Sequence, residues 1–329
     1  MVNPAAVIIL AAGAGTRMKS STPKVLHTAC GTSLLGHVVA AASHTNPDNL
    51  VVVVRHERER VATHALELAP GAIIADQDEI PGTGRAVWCG LAELPEDLEG
   101  PVLVTAADTP LLTGQLLENL ARTHATEGNT VTVLTATADD PYGYGRVVRD
   151  EDGIISSIVE HKDATEDQLT ITEINTSIYV FDAGFLRKVL STLGTDNAQG
   201  EMYLTDVVEA AHRAGERIGS VPGTTEEVSG VNDRVQLAEL TAVLNRRYLE
   251  AAMRDGVTVI DPNSTWVEKG VTFDPDCVIY PGTYLAGTTH VSTGAHVGPH
   301  VRLTDVHVDE GQDVAFGDYT SENRPEEQK

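Results

Sequence analysis

Over residues 1–230, short apolar runs alternate with amphipathic stretches. The runs are residues 7–10, 50–54, 72–75, 102–105, 130–134 and 178–181. Between several of them, residues 34–43, 57–68, 85–94 and 111–124 carry apolar side chains at helical spacing. A run that is apolar at nearly every position reads as a strand buried on both faces. Such strands alternating with helices predict an α/β domain with a mostly parallel, Rossmann-like sheet covered on both sides. Ligands in such folds sit beyond the carboxyl ends of the strands, where loops lead into helices.

The pattern then changes twice. Residues 231–254 read as one helix with Val235, Leu237, Leu240 and Leu244 as its apolar stripe. Beyond it, Val267, Phe273, Ile279, Leu285, Val291, Val297 and Leu303 recur every six residues. Turn formers such as Gly270, Pro275, Pro281 and Gly294 fall between them. A six-residue period of this kind is the signature of a parallel β-helix. The frame slips after Leu303. The expected organisation is a domain over 1–230, a linker helix over 231–254, a short β-helix over 255–316 and a disordered polar tail over 317–329.

Composition narrows the function. The 329 residues suit two domains, and with aromatics at 4% the core is filled by aliphatic side chains. A formal net charge of −25 repels nucleic acid and anionic membrane surfaces, so neither is an expected partner. Any phosphate site must therefore gather its basic groups locally. Cys30, Cys89 and Cys277 lie far apart without metal or disulfide spacing, which fits a reducing compartment. The apolar segment 5–12 has no preceding Lys or Arg and reads as a buried first strand, not a signal sequence. No apolar run approaches a membrane span. The expected location is cytoplasmic.

Chemistry enters where the first strand ends. Leu10-Ala11-Ala12-Gly13-Ala14-Gly15-Thr16-Arg17-Met18 leaves that strand through a loop of small residues. Small residues let backbone N–H groups approach a phosphate, and Arg17 and Lys24 add cations that can neutralise a transferring phosphoryl group. The string lacks the third Gly of a dinucleotide fingerprint and the Gly-Lys-Ser/Thr of a Walker loop. A second strand, residues 102–105, leads to Asp108-Thr109-Pro110. A carboxylate at that end of a strand can hold Mg²⁺ with substrate phosphates, or cap a turn.

The complete string from Leu10 to Lys24 resembles the signature of sugar-phosphate nucleotidyltransferases. Gln77 with Gly82-Thr83-Gly84, Gly143-Tyr144-Gly145-Arg146, Val159-Glu160-His161-Lys162, Ile174-Asn175-Thr176 and Gly230-Val231-Asn232 follow in order. Together they resemble the uridyltransferase half of the bacterial bifunctional N-acetylglucosamine-1-phosphate uridyltransferase/glucosamine-1-phosphate acetyltransferase family. The likeness runs over residues 5–310. It implies an α/β nucleotidyltransferase domain followed by a left-handed β-helix, assembly as a homo-trimer through that β-helix, and a role in cell-wall precursor synthesis.

The same resemblance implies residue roles. Leu10, Ala11, Ala12, Gly13, Gln77, Gly82 and Thr83 would hold the uridine of UTP, and an amide such as Gln77 offers both donor and acceptor to a uracil edge. Gly143, Glu160 and Asn175 would hold N-acetylglucosamine 1-phosphate. Asp108 and Asn232 would ligate Mg²⁺, while Arg17 and Lys24 face the phosphates. On local grounds alone, Asn232 also fits the cap of the following helix, and Glu160-His161-Lys162 also fits a solvated charge run. The implied reaction is in-line attack of the sugar phosphate on the α-phosphorus of UTP, with pyrophosphate leaving. Four positions depart from the family pattern. Arg85 replaces His, Ala107 and Ser177 replace Gly, and Asp233 replaces Asn. Ala107 is expected to add a methyl beside the nucleotide, and Ser177 to add bulk near the sugar. The chain ends after a few coils, so the acetyltransferase reaction is expected to be absent. Two alternatives stay open: a nucleotidyltransferase for another sugar phosphate or base, and a catalytically silent relative.

Overall fold

The computed structural model describes residues 3–323, and its chain divides into two compact units. The first comprises residues 1–27 and 34–233. Its strands are β1 (Ala6–Leu10), β4 (Leu50–Val54), β5 (Ile73–Asp76), β6 (Pro101–Ala106), β7 (Val131–Thr137), β8 (Arg146–Arg149), β9 (Ile155–Val159), β10 (Glu173–Asp182) and β11 (Ile218–Gly223). Between β1 and β4 in sequence, β2 (Thr28–Ala29) and β3 (Thr32–Ser33) form a hairpin that belongs to the second unit. Among the described residues the main sheet runs β11-β7-β10-β6-β1-β4-β5, with β8 paired to β10 and β9. β1, β4, β5 and β6 are mutually parallel, as are β7 and β11, while β10 is antiparallel to both its neighbours.

Each central strand feeds both faces of the sheet. Ile8, Val51, Val53, Val102 and Val104 enter one apolar cluster, and Val7, Ile9, Val52, Val54 and Leu103 enter the other. This is why these strands are apolar at nearly every position, with Thr105 of β6 the polar residue among them. The helices over the two faces are α1 (Leu34–His44), α2 (Arg58–Leu68), α3 (Thr83–Ala92), α4 (Gly114–Glu127), α5 (Glu166–Leu169), α6 (Ala183–Leu190), α7 (Asp206–Arg213) and α8 (Thr225–Val228). Local caps set several of their ends. The Thr113 hydroxyl accepts from Leu116 N at 3.2 Å to start α4, and Gly128 ends it in the left-handed conformation. Asp182 caps α6 by accepting from Phe185 N at 2.8 Å.

The second unit comprises residues 28–33 and 234–329 by contact, described to residue 323. It opens on α9 (Arg234–Arg254). Its buried face is Leu240, Leu244, Asn245, Leu249 and Ala252, whereas Val235, expected in the stripe, is 66% exposed. Three parallel sheets of short strands follow and form the left-handed β-helix. Val267, Ile279, Leu285, Val291, Val297 and Leu303 fill its interior. Trp266 pairs with Tyr284 and Tyr284 with Arg302, so a coil is 18 residues, three of the six-residue units. The frame slip has a structural counterpart. His290 pairs with His307 and Val301 with Gly317, which shortens these coils to 17 and 16 residues. Gly317–Thr320, expected in the disordered tail, is instead a strand paired with Val301–Thr304. Its backbone donors and acceptors are satisfied by the coil beneath it, which a polar side-chain pattern does not reveal. The remainder of that tail, residues 324–329, lies outside the described residues.

Candidate active site

The loops at the carboxyl ends of β1, β4, β5 and β6 border a cleft of about 640 Å³. Leu10, Ala12, Gly13, Gln77, Gly82 and Thr83 line it, as the sequence leads one to expect. Ala11 does not: it is 2% exposed in the core beneath, its N–H donating to Val53 O at 2.8 Å. A Cβ on Gly13 would meet no protein atom within 4 Å, so that glycine keeps open space clear. Gly15 is constrained in the opposite sense. Its φ is +58°, and a Cβ there would stand 2.5 Å from the Lys24 Cβ. The small residue thus lets the Lys24 stem pass directly under the loop. Pro23, at φ −51°, precedes the turn that carries Lys24.

At the mouth of this loop the four expected phosphate and metal groups form two pairs. Lys24 Nζ contacts Asp108 Oδ2, both side chains being largely buried. Arg17 Nη2 donates to Asn232 Oδ1 at 2.8 Å. The backbone ties the pairs together, since Val231 N donates to Asp108 O at 2.9 Å. A Cβ on Gly230 would lie 3.4 Å from Asp108 Oδ1, so the segment before Asn232 runs against the carboxylate. Two cations and two hard oxygen donors therefore share one polar centre. Among the described residues no group of three or more His, Cys, Asp or Glu side chains could hold a metal. One carboxylate and one amide oxygen leave most of a coordination sphere to water and substrate phosphates. That suits a divalent metal bound together with substrate phosphates better than one needing an all-protein cage.

One end of the cleft is built by residues 77–84. Gln77 Nε2 donates to Ile80 O at 3.0 Å and to Gly82 O at 3.2 Å. Those two bonds leave its Oε1 as the acceptor for a ligand. Gly82, at φ +118°, packs so closely on Met202 that any Cβ would collide with the Met202 backbone. Gly84 N donates to Met202 O at 2.8 Å, and Thr83 Oγ1 accepts from Leu204 N at 3.1 Å. The Thr83 hydroxyl thus supports the turn. Arg85, the His replacement, grips Asp78 through two donors.

Glu160 and Asn175 come together with Gly145, the second glycine of the stretch that holds Gly143. A Cβ on Gly145 would lie 3.3 Å from the Asn175 Cβ and 3.5 Å from Glu160 Oε2, whereas Gly143 has open space around it. Both glycines sit in the same Gly-x-Gly stretch, and only the β8–β10 pairing decides between them. Asn175 N donates to Gly145 O at 2.9 Å. Asn175 Oδ1 accepts from the Tyr179 hydroxyl at 2.7 Å and from Ser177 N at 3.1 Å. Burial pushes the Glu160 carboxyl above its ordinary value, with Asp163, Asp206 and Glu201 adding to the shift. Glu160 is half-buried among other carboxylates, while Lys162 and Asp163 beside it are exposed. The cluster of Glu160, Asn175 and Gly145 adjoins the cleft through Ser177 and Glu201, which line it.

Two departures take on different meanings. Ala107 is 1% exposed, packed in the core with its N–H on Leu10 O at 3.0 Å. Its methyl therefore points away from the cleft, which Ala106 lines instead. Ser177 does face the cleft, and it adopts φ +60°, a left-handed conformation that non-glycine residues seldom take. Sequence reasoning missed Gly145 and Glu201. For Glu201 the signal was its place in the 196–201 polar stretch, which no periodicity marks.

Residues 7–174 match the model of the MobA-like NTP transferase domain, and they make up half of the chain. The chain belongs to the MobA-like NTP transferase family. Among curated relatives it is 53% identical over 315 residues to the bifunctional protein GlmU of Streptomyces coelicolor, covering 95% of this chain and 65% of that protein. It is 55% identical over 314 residues to that of Pseudarthrobacter chlorophenolicus (94% and 64%), and 53% identical over 332 residues to that of Micrococcus luteus (96% and 67%). The chain thus spans about two thirds of the length of these relatives, just under it for the first two. The relatives are named as bifunctional, so the expected absence of a second activity has no support here. No helix among the described residues is long and apolar enough to cross a membrane.

Proposed function

We propose that this NTP transferase is a UDP-N-acetylglucosamine diphosphorylase, joining UTP to N-acetylglucosamine 1-phosphate with release of pyrophosphate. The observation that carries the reading is the paired centre of Lys24–Asp108 and Arg17–Asn232 after the small-residue loop, whose Leu10, Ala12 and Gly13 line the same cleft as Gln77. The sugar phosphate oxygen attacks the α-phosphorus, the bond to the pyrophosphate oxygen breaks, and the charge on the phosphoryl oxygens is met by Arg17 and Lys24. Asp108 and Asn232 would hold the divalent metal, Mg²⁺ by the chemistry of its donors, and the ion when bound would neutralise phosphate charge. Lys24 and Arg17 hold these ligands in place in the absence of substrate and are the groups nearest to receive the phosphates. Gln77 Oε1 would accept from the uracil N3–H. Glu160, Gly145 and Asn175 would hold the amino sugar, with the carboxylate accepting from sugar hydroxyls. The centre needs no protein nucleophile.

Replacing Asp108 or Arg17 by Ala tests this assignment. Each is expected to lower kcat by about 100-fold or more, as for other lost electrostatic stabilisers. Turnover within a few-fold of wild type in both variants would remove these residues from the mechanism.

A further inference from the structure

The Asp78–Arg85 contact stands outside the proposed chemistry, yet it is built with unusual care for a half-exposed pair. Arg85, in the first turn of α3, donates from Nε to both Asp78 carboxylate oxygens at 2.9 and 3.1 Å, and its Nη2 also reaches Oδ2. The same carboxylate accepts from Ile80 N at 3.1 Å. One acidic side chain therefore holds both the start of α3 and the Ile80 N–H, on the residue whose carbonyl receives the Gln77 amide. On the other flank Arg55 Nη2 reaches Glu79 O at 3.4 Å. The loop is thus held from both sides, and the two carbonyls that accept from Gln77 Nε2 cannot move apart.

That restraint has a chemical consequence. An amide carries a donor end and an acceptor end, and nothing in its shape distinguishes them. Here Ile80 O and Gly82 O take the donor end, so only oxygen is presented to the base. Oxygen matches the N3–H of uracil and opposes the N3 lone pair of cytosine. If the two carbonyls were free to move, the amide could turn over and offer N–H instead.

We propose that Asp78 and Arg85 are specificity-positioning residues, which lock the 77–82 loop so that Gln77 favours a uracil over a cytosine nucleotide. This rests on the reading of the cleft as a uridine nucleotide site. Arg85 acts through Gln77 and is not itself a catalytic residue. The guanidinium also holds the Asp78 carboxyl below its usual range, so the pair stays ionised throughout the neutral region.

The test uses the full chain with Asp78→Asn, Arg85→Met, and the exchanged pair Asp78→Arg with Arg85→Asp. UTP and CTP are compared as donors by kcat/KM, the KM for N-acetylglucosamine 1-phosphate is measured, and UTP binding is followed by calorimetry. Each single variant is expected to lose about 10-fold in its preference for UTP over CTP, the scale of one net hydrogen bond. The KM for the sugar phosphate should stay unchanged, and the exchanged pair, which restores the ion pair but not the acceptor for Ile80 N–H, should recover part of the preference lost in Arg85→Met. Exposed ion pairs contribute little to global stability, so unchanged melting temperatures are expected throughout. Unaltered preference in both single variants would overturn the proposal and leave the uridine reading standing. Loss of preference in the exchanged pair equal to that in Arg85→Met would also overturn it, because the ion pair would then not be what sets the preference. A wild-type chain with no preference for UTP would instead bring down the uridine reading, and the proposal with it.

Discussion

Ser177 illustrates how much a single residue can be read and misread. Its presence where the resembling family has Gly is visible in the sequence, and added bulk near the sugar is the natural inference. The structure adds that the residue holds φ +60° where β10 bulges away from β7. A left-handed backbone costs an L-residue about 1–2 kcal/mol, part of which glycine would give back through its larger unfolded-state entropy. Ser177→Gly is therefore expected to raise stability by about 1 kcal/mol in urea denaturation. A less stable variant would mean that the Ser177 hydroxyl makes a contact worth more than the strain. Lys24 stands out beside a small-residue loop and Asp108 at the end of an apolar strand, whereas Gln77 is singled out only by the family resemblance. Gly145 and the inward turn of Ala107 were not legible, since each depends on a strand pairing that sequence periodicity does not encode.

Among the elements, the long apolar strands and the six-residue repeat could be located from pattern alone. β8 and β9 could not, because their runs are short and broken by Arg146, Arg149, Ser156 and Ser157. They matter for function, since Arg146 of β8 pairs with Ile174 of β10 and thereby brings Gly145 to Asn175. α4 carries a titration built into its packing. His124 points inward, 5% exposed, with Nδ1 at 3.0 Å from Thr132 Oγ1 on β7. Burial pushes its imidazole down from 6.5 to about 4, against a smaller upward pull from Asp182. The folded chain thus stays neutral at this site while the unfolded chain takes up a proton below its ordinary value. Stability falls as pH drops from 6.5 towards 4, by about 3 kcal/mol in all. His124→Asn keeps a polar partner for Thr132 and removes the titration. Denaturation midpoints of the variant should vary less between pH 7 and 5 than those of the wild type. Identical slopes would show that the acid sensitivity lies elsewhere.

At the scale of the whole molecule, the charge of −25 and the few basic groups at the cleft belong together. A chain this acidic repels polyphosphates except where Arg17 and Lys24 are gathered beside Asp108 and Asn232, so the electrostatic landscape itself marks the site. The division into two units concentrates every residue of that site in the first, including Asn232 at its last turn before α9. The account's central claim is that this unit turns UTP and an amino-sugar phosphate into a nucleotide sugar. Pyrophosphate release should be measured with UTP, Mg²⁺ and one acceptor at a time: N-acetylglucosamine 1-phosphate, glucosamine 1-phosphate or glucose 1-phosphate. The account predicts release that depends on the acceptor and is fastest by kcat/KM with N-acetylglucosamine 1-phosphate. Tight UTP binding with no pyrophosphate released for any acceptor, or faster release with glucose 1-phosphate, would contradict it.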